Sequence, residues 1–286
     1  MGMLTGLVGA APAEVIEAAA SATPDERALE LRIFLVVQHG LAMGDACMAS
    51  AAARATWMTL RAAMRTTPER VAAYDDHIQP KISLRARNEA SLLRARAEAY
   101  AAGLPAALAE VADRLPAVLG IGPALRSDLP KFVQKLQLLT GDPGADATPV
   151  ADPDAPMGEA MWILVRRDLG IPYGKLAAQS GHGCWTAGRI AMASDPGAVE
   201  RWEEAGCPVG VLWLDGIGAM DAAHEAATRQ GLASAYIVDA GRTEFSGPTP
   251  TVVGMGPCES AALPPQVRCL LDADGGVACP PRTGTA

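Results

Sequence analysis

A repeat within the chain restricts its possible folds more than any other property of the sequence. When the chain is shifted against itself by 128 positions, residues 33–37 align with residues 161–165, and the register holds without a gap to residue 104. The aligned pairs include Trp57 with Trp185, Pro80 with Pro208 and Gly103 with Gly231. After a six-residue deletion in the first copy, the offset becomes 134 and residues 118–123 align with residues 252–257. Matches of Trp, Pro and Gly at one offset are hard to obtain by chance, so we predict two homologous domains.

The composition is that of a folded protein. Of the 286 residues, 50% are hydrophobic, 20% are charged and 4% are aromatic, which argues against a disordered chain and against a surface of stacked aromatic rings. No stretch approaches the roughly 20 apolar residues of a membrane helix, and the first residues lack the basic region of a signal peptide. We therefore expect a soluble, cytoplasmic protein without a membrane partner.

Changes in composition along the chain predict where the domains begin and end. The residues between the two copies are rich in Asp, Pro, Gly and Ala and lack periodicity, as exposed linkers do. We predict a helical N-terminal segment over residues 1–30, a first domain over 31–141, a linker over 142–159, a second domain over 160–272 and a disordered tail over 273–286.

Short apolar runs alternate with helical segments in the second copy. Strands are predicted at 161–167, 209–215, 234–239 and 251–256, and helices at 175–193, 198–205, 217–230 and after Pro264. Strands separated by helices require crossover connections and a sheet covered on both faces. The last two strands are joined by a loop too short for a helix, which predicts one antiparallel pairing. We predict an α/β fold in which each copy is a small three-layer domain, with a mainly parallel, mixed four-stranded sheet flanked by helices.

The net charge is unevenly distributed between the two copies. A formal charge of −8 argues against a general nucleic-acid-binding protein, whose affinity comes mainly from Lys and Arg on phosphates. Residues 1–141, however, contain 15 Lys and Arg against 14 Asp and Glu, whereas the remaining residues contain 9 against 18. The acidity therefore belongs to the second half of the chain, and the net charge does not exclude nucleic-acid binding by the first.

Polar residues of the second copy are concentrated at one predicted edge of the sheet. Lys175, Gln179 and His182 are spaced i, i+4 and i+7, which places them on one face of a helix that begins just after the first strand. Open α/β sheets bind ligands at this end of the strands, where the N–H groups of helix N-termini favour anions. The segment 239–243 directly follows another strand and Thr251 begins the last one, so we expect both at the same edge.

These motifs, in this order, resemble those of the type 2 peptidyl-tRNA hydrolases. The matching segments are GKLAAQSGH (174–182), DAGRT (239–243), Thr251 and VVGMGP (252–257), within residues 160–272. The resemblance implies an enzyme that hydrolyses the ester between a peptide and the terminal ribose of tRNA, typically as a homodimer with a mixed four-stranded sheet. It also implies that no metal or other cofactor is needed, and the six cysteines show no spacing typical of a metal site.

The resemblance assigns roles to individual positions of the second copy. The residues that match positions tied to family activity are Lys175, Asp239, Thr243 and Thr251, and those that match the signature of the helix face are Gln179 and His182. We interpret the latter two, together with Arg242, as substrate-binding residues. A lysine at a helix start, a histidine on an Ala-rich helix and a DAG turn are each common in proteins of other function, so the prediction depends on their joint occurrence.

The chemistry of ester hydrolysis suits these residue types. The reaction needs an oriented water, a proton acceptor, and hydrogen-bond donors where negative charge develops. Asp239 is the candidate base or water-orienting carboxylate, and Thr243 is a second candidate partner of the water. Lys175 is the candidate for stabilising the oxyanion or holding a nearby phosphate. Arg242 is the candidate for binding a phosphate through two hydrogen bonds, which Lys does less well.

The first copy lacks the candidate catalytic residues but keeps a basic segment. The repeat register places Cys47, Ala51, Arg54 and Val111 where the second copy has Lys175, Gln179, His182 and Asp239. Residues 79–86 (QPKISLRA) resemble the basic second strand of the family, and further arginines surround them. We predict that the first copy takes the place of the second subunit of a family dimer and contributes positive charge towards tRNA. The alternative is that these charges are only solvated helix faces.

Two other functions remain open at this point. One is a repurposed tRNA-dependent acyl transferase or esterase in a specialised pathway, because the second copy is acidic and lacks the basic strand. The other is a non-catalytic tRNA-binding or interaction module, because a fold does not guarantee an activity. The non-catalytic alternative predicts that Lys175 and Asp239 point apart in the folded protein.

Overall fold

The computed structural model describes residues 30–76, 79–141, 147–150, 156, 158–241 and 245–273. The helical segment predicted before residue 30 and the tail predicted after residue 273 lie outside the described residues. No helix within the described ranges is both long enough and apolar enough to cross a membrane.

Each copy consists of a sheet with helices on its faces. The elements of the first copy are β1 (Arg32–Gln38), β2 (Leu41–Met43), α1 (Asp45–Thr66), α2 (Pro68–Asp75), β3 (Lys81–Ala86), α3 (Glu89–Ala101), β4 (Ala106–Val111), β5 (Leu115–Ala124), α4 (Lys131–Gln134) and β6 (Gln137–Leu138). The elements that follow are β7 (Thr148–Val150), β8 (Glu159–Arg166), α5 (Tyr173–Ser194), α6 (Pro196–Glu204), β9 (Val209–Leu214), α7 (Ile217–Arg229), β10 (Ser234–Asp239), β11 (Thr249–Glu259) and α8 (Pro265–Ala273).

The elements repeat in the same order in both copies, as the sequence predicts. Helix α5 corresponds to α1 and helix α7 to α3, and both ends of each helix are displaced by 128 residues. Every strand and helix predicted for the second copy is present, with small differences at the ends. The α/β class and the tandem arrangement are therefore confirmed, while the limits of the two domains stay a prediction.

Both sheets are mixed, but their pairing differs from the prediction. The strand order is β10-β11-β8-β9 in the second copy and β4-β5-β1-β3-β6 in the first. Strands β8 and β9 pair in parallel, whereas β11 is antiparallel to both of its neighbours, β10 and β8. The predicted antiparallel pairing of the last two strands is confirmed. Three of the four strands of the second sheet run in one direction, but two of its three pairings are antiparallel, because the last strand inserts between two strands that run opposite to it.

Two short strands add to the predicted architecture. Strand β6 pairs with β3, with Leu138 opposite Leu84, so the first sheet has five strands rather than four. Strand β7 pairs in parallel with β2, with Thr148 opposite Leu41. Part of the predicted linker 142–159 is therefore ordered against the first domain, because its backbone groups supply hydrogen-bond partners to an exposed strand.

Helices α1 and α5 pack together between the two sheets. Both are rich in Ala, and α5 also contains several Gly residues, which lets the helices approach closely. At Gly188 of α5, an added Cβ would overlap the ring of Trp57 from the first domain. One hydrophobic core consequently includes residues of both copies, and two smaller clusters cover the outer faces of the sheets.

The two domains contact each other reciprocally. The indole nitrogen of Trp57 donates to Glu203 Oε1 at 2.9 Å, and that of Trp185 donates to Asp75 Oδ1 at 2.7 Å. The two tryptophans and the two carboxylates are each related by the 128-residue offset. Two ion pairs follow the same relation, Arg61–Glu203 at 2.6 Å and Arg189–Asp75 at 3.3 Å. Such an exchange of contacts is characteristic of surfaces related by a two-fold axis.

Candidate active site

The first turn of α5, which carries the candidate lysine, is fixed by residues of the first domain. The Tyr173 hydroxyl donates to the carbonyl oxygen of Met43 at 3.2 Å. The Ser83 hydroxyl donates to the carbonyl oxygen of Gly174 at 2.6 Å. An added Cβ on Gly174 would overlap the carbonyl oxygen of Leu139, so glycine is required for this close approach. The backbone next to the candidate lysine is therefore held by the other copy.

Asp239 is the centre of the predicted site. Lys175 Nζ donates to its Oδ1 at 2.9 Å, and Gln179 Nε2 donates to its Oδ2 at 3.0 Å. The backbone N–H of Gly241 also donates to Oδ1, at 2.9 Å. Both oxygens of the carboxylate are thus oriented by fixed donors, and the residues predicted to share one sheet edge do meet there.

Thr251 extends the network below the carboxylate. Its hydroxyl donates to Gln179 Oε1 at 2.7 Å, which leaves the amide nitrogen of Gln179 to donate to Asp239. Thr251 is fully buried and Gln179 is 5% exposed. Because a buried amide with both ends bonded has one orientation, Thr251 determines which group of Gln179 faces the carboxylate.

The Lys175–Asp239 pair is largely protected from solvent. The side chains are 8% and 16% exposed, respectively. Phe245 follows in the next loop, and its ring centroid lies 4.2 Å from Lys175 Nζ, within the range of a cation–π contact. Phe245 is not among the residues that the sequence motifs indicate. The available signal was an aromatic residue just after the DAGRT motif, in a chain with only three phenylalanines.

The turn after β10 carries two further predicted residues. Arg242 and Thr243 lie outside the described residues, so their predicted roles are untested. Gly241 has a φ of 69°, and an added Cβ would overlap the backbone of Gly247. A glycine is therefore needed at this position, where the backbone lies against that of Gly247.

His182 lies one turn beyond Gln179 on α5, but its observed partner belongs to the first domain. Its Nδ1 lies 3.1 Å from Lys81 Nζ. Burial lowers the pKa of Lys81 to about 7. Burial, and secondarily the charge of Lys81, lowers the pKa of His182 well below its usual value. Lys81 is 8% exposed, so it cannot contribute to a basic surface, and the sequence interpretation of this residue is wrong because its strand faces α5.

The corresponding edge of the first domain has different chemistry. Cys47 and Ala51, which replace Lys175 and Gln179, are buried apolar positions. Arg54, which replaces His182, donates from its guanidinium to the carbonyl oxygen of Glu110. Burial lowers the pKa of Arg54. Among the described residues, this edge therefore has no counterpart of the Lys175–Asp239 pair.

The arginines of the first domain fall into two groups. Arg61 and Arg70 are bonded to Glu203 and Asp128, so their charges are already paired. Arg65, Arg87 and Arg94 are exposed, although Arg94 also pairs with Glu98 at 2.8 Å. Arg114 and Arg126 are exposed as well, so the exposed arginines of the first domain are not confined to the predicted basic segment.

Comparisons with known proteins agree with the sequence motifs. A model of the family described as peptidyl-tRNA hydrolase PTH2 matches residues 31–139 and again residues 160–270. The double match supports the tandem arrangement of two copies. It includes the first copy, although that copy lacks the residues of the candidate site.

Individual relatives are similar to less than half of this chain. A protein named probable peptidyl-tRNA hydrolase 2 from Drosophila melanogaster is 36% identical over 103 residues, which are 36% of this chain and 55% of that protein. One of the same name from Schizosaccharomyces pombe is 38% identical over 97 residues, 34% of this chain and 47% of that protein. A peptidyl-tRNA hydrolase from Aeropyrum pernix is 33% identical over 107 residues, 36% of this chain and 86% of that protein. The chain thus spans about half the length of the first two relatives and most of the third.

Proposed function

Because this chain belongs to the peptidyl-tRNA hydrolase PTH2 family, we propose that its second domain hydrolyses the ester bond linking a peptidyl or acyl group to tRNA. The observation that carries this proposal is the 2.9 Å ion pair between Lys175 and Asp239, with Gln179 and Thr251 behind it. This geometry counts against a non-catalytic module, for which the two charged side chains would point apart. A cytoplasmic location stays a prediction from the sequence.

Asp239 would act on the attacking water. Its Oδ1 accepts two hydrogen bonds and its Oδ2 accepts one, so Oδ2 has a second lone pair with which it can accept a hydrogen bond from water. In this role Asp239 orients the water and receives its proton as the C–O bond forms. Thr243 remains the proposed second partner of that water.

Lys175 would stabilise negative charge on the substrate. Its ammonium is held between Asp239 and the ring of Phe245, so it is pre-positioned before substrate binds. A fixed charge in a partly desolvated site stabilises a developing oxyanion more than a mobile one in water. Arg242 is proposed to bind a phosphate of the tRNA end, and Gln179 and His182 to contact the substrate beside it.

The first domain is proposed to take the place of a second subunit. The reciprocal Trp57–Glu203 and Trp185–Asp75 contacts support this intramolecular counterpart of a dimer. So do the contacts of Met43 and Ser83 with the first turn of α5. We also propose that the exposed arginines of the first domain contribute charge towards tRNA, for which Arg65, Arg87 and Arg94 are the candidates.

Release of the acyl group from acylated tRNA tests the proposed function. We expect Lys175→Ala and Asp239→Asn each to lower kcat/KM by about 100-fold or more, as loss of one charge-stabilising group or a general base does. Cys47→Ala, at the position equivalent to Lys175, is the matched control and should retain full activity. Wild-type activity in both site variants would contradict the proposal. Transfer of the acyl group to an added amine, in preference to water, would instead support the acyl-transferase alternative.

A further inference from the structure

Lys81 makes three hydrogen bonds, and one of them crosses the domain boundary. Its Nζ lies 2.9 Å from the Tyr74 hydroxyl, 3.4 Å from the carbonyl oxygen of Gln79 and 3.1 Å from His182 Nδ1. The Tyr74 hydroxyl donates in turn to the Gln79 carbonyl at 2.8 Å, so it accepts from the lysine. An ammonium has three donors and no acceptor. When Lys81 is charged, each of its three hydrogens therefore has one nearby acceptor, and Nδ1 of His182 takes the third.

This arrangement selects one form of the His182 ring. If Nδ1 accepts from Lys81, the ring proton must be on Nε2, and the neutral ring becomes a donor through Nε2–H. Burial, with the nearby charge of Lys81, lowers the pKa of His182 well below its usual value, which agrees with a neutral ring that accepts through Nδ1. The His182 side chain is partly exposed and shares its helix face with Lys175 and Gln179. The ring thus offers one defined donor on the face that carries the candidate site.

The packing around Lys81 is adapted to this contact. An added Cβ on Gly181 would overlap Thr56 Oγ1 and lie 3.2 Å from Cδ of Lys81, so the glycine leaves space for the lysine stem. At the equivalent place on the opposite side of the domain interface, the sequence has Ala53 and Val209.

The two copies have also kept complementary halves of the pair. The 128-residue offset relates Lys81 to Val209, and His182 to Arg54. The copy without a complete site has the lysine, and the copy with the site has the histidine. The repeat register gives two places for such a pair between the domains, one at Lys81 and His182 and one at Val209 and Arg54. Only the first has both a lysine and a histidine, and its histidine lies on the helix of the candidate site.

We propose that Lys81 is a positioning residue for the site of the other domain, which fixes His182 with a proton on Nε2 so that this N–H binds an oxygen of the acylated tRNA. The identity of the substrate rests on the proposed function, whereas the state of the ring does not. A buried lysine of the first domain then orients a residue in the site of the second domain. The first domain thus contributes to the chemistry of that site as well as to the packing.

The protonation state of the ring is tested by nitrogen NMR of the full chain with isotope-labelled histidine. The chain has four histidines, and His182→Asn identifies the signal of the relevant ring. Below about pH 7, where Lys81 is charged, we expect the wild-type ring to carry its proton on Nε2, and Lys81→Met to give a mixture of both neutral tautomers and a higher ring pKa. Arg54→Met removes a cation at the equivalent place and should leave the signal unchanged. A wild-type ring protonated on Nδ1, or an unchanged ring in Lys81→Met, would overturn the proposal.

Kinetics distinguish positioning from a purely structural role. Lys81→Met should lower kcat/KM by about tenfold, the loss expected for one misdirected hydrogen bond. In the His182→Asn background, the same change should cause no further loss, because the two residues act through one donor. Losses that multiply would overturn the proposal and indicate structural damage. If the wild-type chain released no acyl group, the proposed function would fail, and the NMR result would still decide whether Lys81 sets the ring.

Discussion

At the scale of single residues, the site depends on groups whose hydrogen-bonding capacity is already used by neighbours. Asp239 is oriented by Lys175, Gln179 and the N–H of Gly241, and Gln179 is in turn oriented by Thr251. Pre-orientation of this kind lowers the reorganisation needed when substrate binds. Lys81 is proposed to orient His182 in the same way across the domain boundary. Burial disfavours the charged form of Lys81, because no carboxylate bonds directly to its ammonium group among the described residues.

This effect of burial predicts a dependence of stability on pH. The folded pKa of Lys81 is about 7 and the ordinary value is 10.5, so between these values the unfolded chain binds more protons than the folded one. The free energy of unfolding should therefore rise with pH through this window, by up to about 1.4 kcal/mol per pH unit from this residue. Lys81→Met should remove that part of the slope. Denaturant titrations of the wild type and of Lys81→Met at several pH values measure this slope, and parallel pH profiles of the two chains would contradict the lowered pKa of the buried Lys81.

At the scale of elements, a close contact between α5 and β11 holds the polar helix face at the sheet edge. An added Cβ on Gly254 of β11 would overlap the carbonyl oxygen of Gly183. The atoms of Gly183 that the added Cβ would meet belong to the backbone, so they cannot move aside as a flexible side chain can. The distance of α5 from the sheet, and with it the position of Lys175 and Gln179 over Asp239, is fixed by this pair of glycines.

Gly254→Ala should therefore destabilise the protein more than an ordinary glycine replacement. We expect a loss of about 1–3 kcal/mol in the free energy of unfolding, typical of an overpacked core, together with reduced hydrolysis because α5 is displaced. Gly218→Ala in α7 is the matched control, since nothing lies within 4 Å of its added Cβ. The control should change stability by no more than about 1 kcal/mol, in the stabilising direction. Equal effects of the two substitutions, measured by chemical denaturation, would refute the proposed role of the contact.

The sequence predicted those parts of the fold and site that depend on local pattern. Helical spacing placed Lys175 and Gln179 on one face, and the position of Asp239 at a strand end placed it near them. Strand order was missed, because the insertion of β11 between β10 and β8 depends on pairing that no local pattern encodes. The Lys81–His182 contact was missed for a similar reason: it joins residues 101 positions apart in different copies. Arg242 and Thr243 stay predictions.

At the scale of the whole molecule, we propose that the chain divides the properties of a dimer between its two unequal halves. The second domain has the candidate catalytic network and an excess of acidic residues, while the first has the exposed arginines and the residues that hold the first turn of α5. The reciprocal contacts of Trp57 and Trp185 join the halves over a shared core. One complete site per chain follows from this division, with its supporting contacts all supplied within the same chain.

A chain that contains its own partner should be active as a monomer. The most direct measurement is the rate of acyl release from acylated tRNA per chain, determined over a wide range of chain concentrations together with the particle mass by sedimentation. We predict a constant rate per chain and a mass near 29.5 kDa at every concentration. A rate that falls on dilution as a heavier particle dissociates would contradict the account, because the first domain would then not be replacing a second subunit.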